Sequence, residues 1–329
     1  MPKYILIGDV GATKTTLGLI TKEKGVREYV QKKTLPSKKF DSLQSMIEVF
    51  LGSMDYKISH ACFGVAGPIM DGIAVLSNLK WDINKSEIEN KFNFTVRLLN
   101  DLESVALAVP HLEQKDLISL RSGIKDTDGS IAIIAPGTGL GEAYICKVDN
   151  QYFPFPSEGG NVDFAPINQT QIELLAFLQR KFGHVSYERV CSGQGIFNIY
   201  TFLKETGEFP EPNWLKQEIA AVTDPTPIIS HAAEERKIEI AIKTLEIFAS
   251  ILGAEAGNLA VKFLSKGGIF IGGGILPKIL PFFNKDIFIN SFNDKGRSAE
   301  LVSQIPINLI KNIDTPLIGA GICGLSDMK

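Results

Sequence analysis

The same layout, two strands around a glycine-containing turn, occurs twice in this chain and constrains the fold more than any other feature. Tyr4-Ile5-Leu6-Ile7 is a short apolar run that stops at Gly8-Asp9-Val10-Gly11-Ala12-Thr13. Residues 15–21, with Leu17, Leu19 and Ile20, read as the returning strand. The plan restarts at Ile131-Ala132-Ile133-Ile134-Ala135, turns through Pro136-Gly137-Thr138-Gly139 and resumes as a strand over 141–147. A single duplication in 329 residues is not a solenoid period. It predicts two units of similar plan, in a chain long enough for about two domains. Facing each other, such units would form a ligand cleft between two lobes.

Between these landmarks strands and helices alternate, which places the chain in the α/β class. Phe40, Leu43, Met46, Ile47, Phe50 and Leu51 recur at helical spacing. Residues 60–65 read as a strand ended by Ala66-Gly67-Pro68. Residues 86–92 read as a helix, and 95–99 as a strand ending at Asn100-Asp101. A helix follows there, with Asp101 as its expected cap and Pro110 closing it. The second half is helix-rich, over 170–182, 195–204 and about 235–264, the last with a small-residue face of Ala254, Ala256, Gly257 and Ala260. Strands are expected at 269–271, before Gly272-Gly273-Gly274, and at 307–310, with a terminal helix over 316–325. The expected division is a small α/β lobe, 1–110 plus about 312–329, and a larger α+β lobe, 111–311.

Several function classes are disfavoured. The net charge is −3 and no basic stripe is present, so no nucleic acid is expected as a partner. Cys62, Cys146, Cys191 and Cys323 are scattered without CxxC spacing and read as reduced thiols. His60, His111, His184 and His231 form no cluster at metal spacing. No apolar run approaches the ~18 residues of a membrane helix, and no signal-peptide pattern opens the chain. The expectation is a cytoplasmic protein with no membrane partner.

The chemistry-bearing candidates lie at the turns. Glycines at 8 and 11 let successive backbone N–H groups approach phosphate oxygens, and Thr13, Lys14 and Thr15 could add donors. This is not a Walker A loop: Thr13 stands where that motif needs glycine before the lysine, and a strand follows instead of a helix. Taken alone it is equally an ordinary hairpin turn. Gly137, Gly139 and Gly141 do not have the spacing of a dinucleotide fingerprint, but two such turns could hold two ends of a polyphosphate. Asn100-Asp101 ends a strand, where open α/β sheets place ligand groups. A carboxylate there can take a proton from a hydroxyl while the amide orients it, or the pair is a plain helix cap. Glu158 and Glu188 lie on loops, where a carboxylate can accept from two adjacent sugar hydroxyls or simply be solvated. Gly272-Gly273-Gly274 would let a flat ligand such as adenine approach a helix N-terminus.

Together, Gly8–Thr13, Asn100-Asp101, Gly137-Thr138-Gly139-Leu140-Gly141, the segment 157–166 (SEGGNVDFAP), Glu188-Arg189-Val190-Cys191-Ser192-Gly193 and Gly272–Gly274 resemble, in order and spacing, the bacterial glucokinases of the hexokinase-like type. The resemblance runs from Ile5 to about Leu325 and includes Asp294-Lys295-Gly296-Arg297. It implies the actin-like ATPase fold, with two ribonuclease-H-like lobes, and transfer of the ATP γ-phosphoryl group to glucose. It implies Asp101 as general base, and Asn100, Asp101, Glu158, Asn161 and Glu188 around the sugar. It implies Gly8, Asp9, Val10, Gly11, Ala12, Thr13, Gly137, Thr138, Gly273 and Gly274 around the nucleotide, Mg²⁺ placed by Asp9 through water, and a homodimer. Two positions depart from the family pattern. Ala12 replaces a usual glycine and requires negative φ. Asn161 replaces the histidine of many members and cannot become charged near neutral pH. The zinc-binding cysteine motif of the related ROK proteins is absent. Another hexose or amino sugar as substrate stays open, as does a non-catalytic sugar sensor of the same fold.

Overall fold

The computed structural model describes residues 3–53, 56–76 and 79–326. They form two bodies, one of 3–113, Tyr152–Pro154 and 312–326, the other of 114–151 and 155–311.

The first body is built on β1 (Tyr4–Val10), β2 (Lys14–Thr21), β3 (Gln31–Pro36), β4 (Ile58–Val65) and, after a small sheet of β5 (Ile69–Met70), β6 (Ile73–Ala74) and β7 (Ile83–Asn84), β8 (Thr95–Asn100). The main sheet runs β3-β2-β1-β4-β8. β1 is antiparallel to β2, with Val10 opposite Thr15, and parallel to β4. β1 is apolar from Tyr4 to Ile7 because both of its faces are covered there. Leu6 and Val10 pack with Met46, Ile47 and Phe50 of α1 (Leu43–Leu51). Ile5 and Ile7 pack with Leu317, Ala320 and Cys323 of the terminal helix Thr315–Ser326. Each fully buried Leu, Ile, Val, Met or Phe among them contributes roughly 1.5–3 kcal/mol. α2 (Lys85–Phe92) precedes β8, and α3 (Asp101–Ala108) follows it.

The structure corrects the expected cap of α3. The N-cap is Asn100, whose Oδ1 accepts the Leu102 N–H at 2.9 Å, and Asp101 Oδ1 accepts the same N–H at 2.8 Å from within the first turn. Pro110 lies in the 3-10 turn Val109–His111 that ends α3. Ser104 Oγ ties α3 to the terminal helix by donating to the Pro316 carbonyl at 2.7 Å.

The second sheet repeats the plan with β9 (Leu117–Arg121), β10 (Ile131–Pro136), β11 (Leu140–Val148), β12 (Gln151–Ser157, whose residues Tyr152–Pro154 are grouped with the first body), β13 (Gly268–Ile271) and β14 (Ile307–Ile310). The order is β12-β11-β10-β13-β14-β9. An antiparallel hairpin again leads into two parallel strands, with β9 added antiparallel at the edge. Its helices are α4 (Gln169–Phe182), α5 (Gly193–Thr206), α6 (Asn213–Ala220), α7 (Thr226–Glu234), α8 (Glu239–Lys262), α9 (Leu276–Ile279), α10 (Lys285–Asn293) and α11 (Ala299–Ser303). α8 is buried along most of its length, from Ile240 to Ala260, as expected for a helix that is apolar nearly all round. Among the described residues no helix is long and apolar enough to cross a membrane.

Candidate active site

In the first body, Gly8, Asp9 and Val10 are residues of β1, and the turn proper is Gly11–Ala12–Thr13. Val10 is fully buried, and the Phe63 ring lies 2.6 Å from where a Cβ on Gly8 would stand, so of these three only Asp9 has a side chain free of the core. The turn is tied down from behind by Ser37. Its Oγ donates to the Gly11 carbonyl at 2.6 Å and lies 3.0 Å from Thr15 Oγ1, while its N–H donates to the Thr13 carbonyl at 3.1 Å. Ala12 is not among the described residues of positive φ, so its methyl is accommodated.

Three carboxylates gather beside this turn. Burial, then Asp101, raise the Asp9 carboxyl to about 6, with Lys14 opposing and Asp314 adding. Asp101 is exposed on one side, yet the protein around it lifts its carboxyl above the usual range, and hydrogen bonds from the Leu102 N–H and its own N–H offset part of that rise. No cation pairs with Asp101 among the described residues. Both oxygens of Asp314 accept from Lys32 Nζ at 2.5 Å. Asn100 donates through Nδ2 to the Gly67 carbonyl at 3.3 Å, which leaves its second amide N–H for a ligand.

In the second body, the Gly137 N–H donates to Gly139 O at 2.8 Å, and the Gly193 N–H to Gly137 O at 2.9 Å. The Leu140 N–H donates to Glu188 Oε2 at 3.0 Å. Glu158 Oε2 accepts from Asn161 Nδ2 at 3.1 Å across the 3-10 turn Gly159–Asn161. A Cβ on Gly160 would lie 2.1 Å from the Leu140 carbonyl, so the turn sits directly on the start of β11. The two glutamate loops are joined: the Tyr187 N–H donates to Val162 O at 3.0 Å and the Phe164 N–H to Val185 O at 2.9 Å. Asp163 and His184 Nε2 pair at 2.8 Å and brace the same junction. Glu158, Asn161, Glu188 and Leu140 therefore form one cluster.

A cavity of about 690 Å³ opens beside Gly137, Thr138 and Gly274, with Phe197, Ile275 and Phe282 as apolar walls. That size suits a nucleotide-sized ligand, and flat apolar walls suit a base. The N-terminus of α5, capped by Ser192 Oγ on the Gly195 N–H at 3.0 Å, reaches the cavity through Gly193 and favours negative charge there. Gly273 stands behind the turn with φ 78° and would place a Cβ 2.2 Å from Pro136 O, so only glycine fits.

Some participants were not legible from sequence motifs. Ser37 follows an exposed strand and belongs to no motif. Asp314 sits in a short turn ahead of the terminal helix. The cavity residues Gln194, Asp224, Thr226 and Ser230 come from α5, α7 and the loop before α7. Glu142, the one acid within β11, carried the one usable signal: it is 2% exposed and lies under Gly159. Among the described residues, no group of three or more His, Cys, Asp or Glu side chains could by itself hold a metal ion.

Comparison with known proteins identifies the family. The model of the glucokinase family matches residues 6–326. The curated glucokinase of Trichormus variabilis is 38% identical over 336 residues, covering 97% of this chain and 98% of that protein. The crystal structure of a glucokinase from an Antarctic psychrotroph superposes with a TM-score of 0.85 at 32% identity, covering 99% of this chain and 100% of that one. A ROK family glucokinase from Streptomyces griseus, in complex with glucose and AMPPNP, has a TM-score of 0.64 at 16% identity, covers 98% of this chain and 99% of its own, and shares the fold. The fold is that of the actin-like ATPases.

Proposed function

The chain belongs to the glucokinase family and phosphorylates glucose with ATP, and we propose that Asp101 is the general base on the 6-hydroxyl. The observation that carries this reading is the position of Asp101 just after β8, in a carboxylate cluster with Asp9 and Asp314 and, among the described residues, bonded only to local amides. A carboxylate whose proton affinity is raised, and which no cation among the described residues pairs with, is suited to accept a hydroxyl proton as attack proceeds. Asn100 orients that hydroxyl through its remaining amide N–H. On the second body Glu158, Asn161 and Glu188 accept from or donate to the other ring hydroxyls.

The backbone of Gly8–Thr13 and of Gly137–Thr138 faces the phosphates, and Gly273 and Gly274 border the base. Phosphoryl transfer asks the protein mainly for positioning and charge stabilisation, which amides at fixed turns supply. Asp9 fits Mg²⁺ held through water: it is a hard oxygen donor in a negative environment, and no complete protein cage is present among the described residues. When bound, the ion offsets charge on the phosphoryl oxygens. The reading extends to a cytoplasmic homodimer with no nucleic-acid partner, supported by the family resemblance and the net charge of −3.

Asn161 already donates to Glu158, so a variant sugar at that corner must compete with this bond. A coupled assay of ADP release with Mg-ATP across a panel of hexoses and amino sugars tests the reading. Glucose is expected to give the highest kcat/KM. A clear preference for another sugar would reassign the substrate, and equal ADP release without any sugar would overturn the kinase role of the site.

A further inference from the structure

We propose that Glu142 is a positioning residue for sugar binding: its buried carboxyl group, seated directly beneath Gly159, supports the Gly159–Asn161 turn while protonated and displaces it when ionised. The inference rests on the reading in which Glu158 and Asn161 hold the sugar.

The contact is intimate. Glu142 lies opposite Ile134 in the β10–β11 ladder and is 2% exposed. A Cβ built on Gly159 would fall 2.0 Å from Glu142 Oε2 and 3.0 Å from Ser157 Oγ, so the turn rests on the carboxyl group with no intervening atom. Glu142 Oε1 is buried and has no hydrogen-bond partner among the described residues. Ser157 Oγ accepts the Gly159 N–H at 2.9 Å, which anchors the turn at its start.

Among the described residues no cation is bonded to Glu142 itself. From α8 comes Glu255, fully buried, which accepts from Asn258 Nδ2 at 2.8 Å and Lys262 Nζ at 3.2 Å. Lys262 is thus bonded to Glu255 and not to Glu142. From the 3-10 turn Tyr187–Arg189 comes Tyr187, whose hydroxyl accepts from the same Asn258 amide at 3.0 Å. Cys191, fully buried, follows that turn, and its thiol is raised by burial and by both glutamates. Lys295, between α10 and α11, acts on Glu255. Glu158 immediately precedes the turn and is exposed. Burial, then Glu255, lift the Glu142 carboxyl to about 8, with Lys262 opposing. A neutral acid is tolerated in this contact. A carboxylate with an unpaired buried oxygen beside a second carboxylate must draw in water or move, and the backbone of the sugar loop is what it presses on.

The test is glucose affinity against pH, measured as KM and kcat and as Kd without ATP, from pH 6.5 to 9.5. The native chain is expected to lose about tenfold in glucose affinity, with a midpoint near 8 and kcat changing less than about twofold, the split expected when ground-state binding alone weakens. Glu142→Gln, which mimics the protonated acid, is expected to bind glucose at pH 7 within about threefold of the native chain and to show no alkaline loss. Lys262→Met, at a half-exposed cation, is expected to move the midpoint upward because Lys262 lowers the Glu142 carboxyl. An unchanged profile in Glu142→Gln overturns the proposal. So does an unchanged midpoint in Lys262→Met, which serves if Glu142→Gln does not fold. Glu158→Gln separates the two levels. If it leaves glucose KM unchanged, the sugar-loop reading fails and this inference with it. If it raises KM while Glu142→Gln keeps the native profile, only the role of Glu142 fails.

Discussion

The backbone N–H of Leu140 donates to Glu188 Oε2 at 3.0 Å. One carboxylate oxygen of a proposed sugar ligand is thereby fixed to the residue that closes the Gly137–Gly139 turn. Sugar loop and phosphate turn are consequently held in one register, within a single body, by a charge-assisted bond.

Glu188→Gln should weaken that bond and the contact to the sugar together. The expected result is a glucose KM raised about tenfold or more, corresponding to roughly 1.5–3 kcal/mol for a hydrogen bond to a charged group. A smaller rise in the KM for ATP is expected through Leu140. Steady-state kinetics with each substrate varied in turn check both.

Ser37 holds the first phosphate turn from behind. Ser37→Ala removes its bonds to Gly11 O and Thr15 Oγ1 and should cost about 1–2 kcal/mol of stability. It should also raise the KM for ATP while glucose binding is retained. Urea unfolding and kinetics with ATP varied are the measurements.

Asp9 should show opposed effects on stability and activity. Its folded-state carboxyl lies at about 6 against an ordinary value of 3.8. The protonated form is favoured in the folded protein, so its contribution is fully present below 3.8 and is lost as pH rises through 6. Asp9→Asn should therefore stabilise the protein at pH 7 by roughly 1–3 kcal/mol and have little effect at pH 4. The same substitution should lower kcat/KM for Mg-ATP severely. In the native chain the KM for Mg-ATP should rise below about pH 6, as Asp9 becomes protonated. Thermal unfolding at the two pH values, with kinetics alongside, tests the pair.

The fold was readable where burial imposes a pattern. Tyr4–Ile7 of β1 and Ile131–Ile134 of β10 are short apolar runs, almost wholly buried, and their turns carry glycines, so the duplicated plan stood out. β3, β9 and β12 were not read. β3 is exposed at most positions, β9 is an added edge, and β12 alternates Phe153 and Phe155 with Pro154 and Pro156, which suits an edge strand but breaks the usual strand composition. The family motifs led to the residues now found around the turns. The supports behind them were hidden because Ser37, Asp314 and Glu142 act through distant partners that no local spacing encodes. The cap of α3 was misassigned for a related reason: Asn100 and Asp101 compete for one N–H, and sequence does not say which is half outside the helix.

Whether Asp101 takes the proton of the sugar hydroxyl is read from the turnover of Asp101→Ala measured beside its glucose affinity. With Asp101 as the base, kcat is expected to fall by about 10²–10⁴-fold, with glucose still bound measurably through Glu158, Asn161 and Glu188. A kcat near that of the native chain would contradict it.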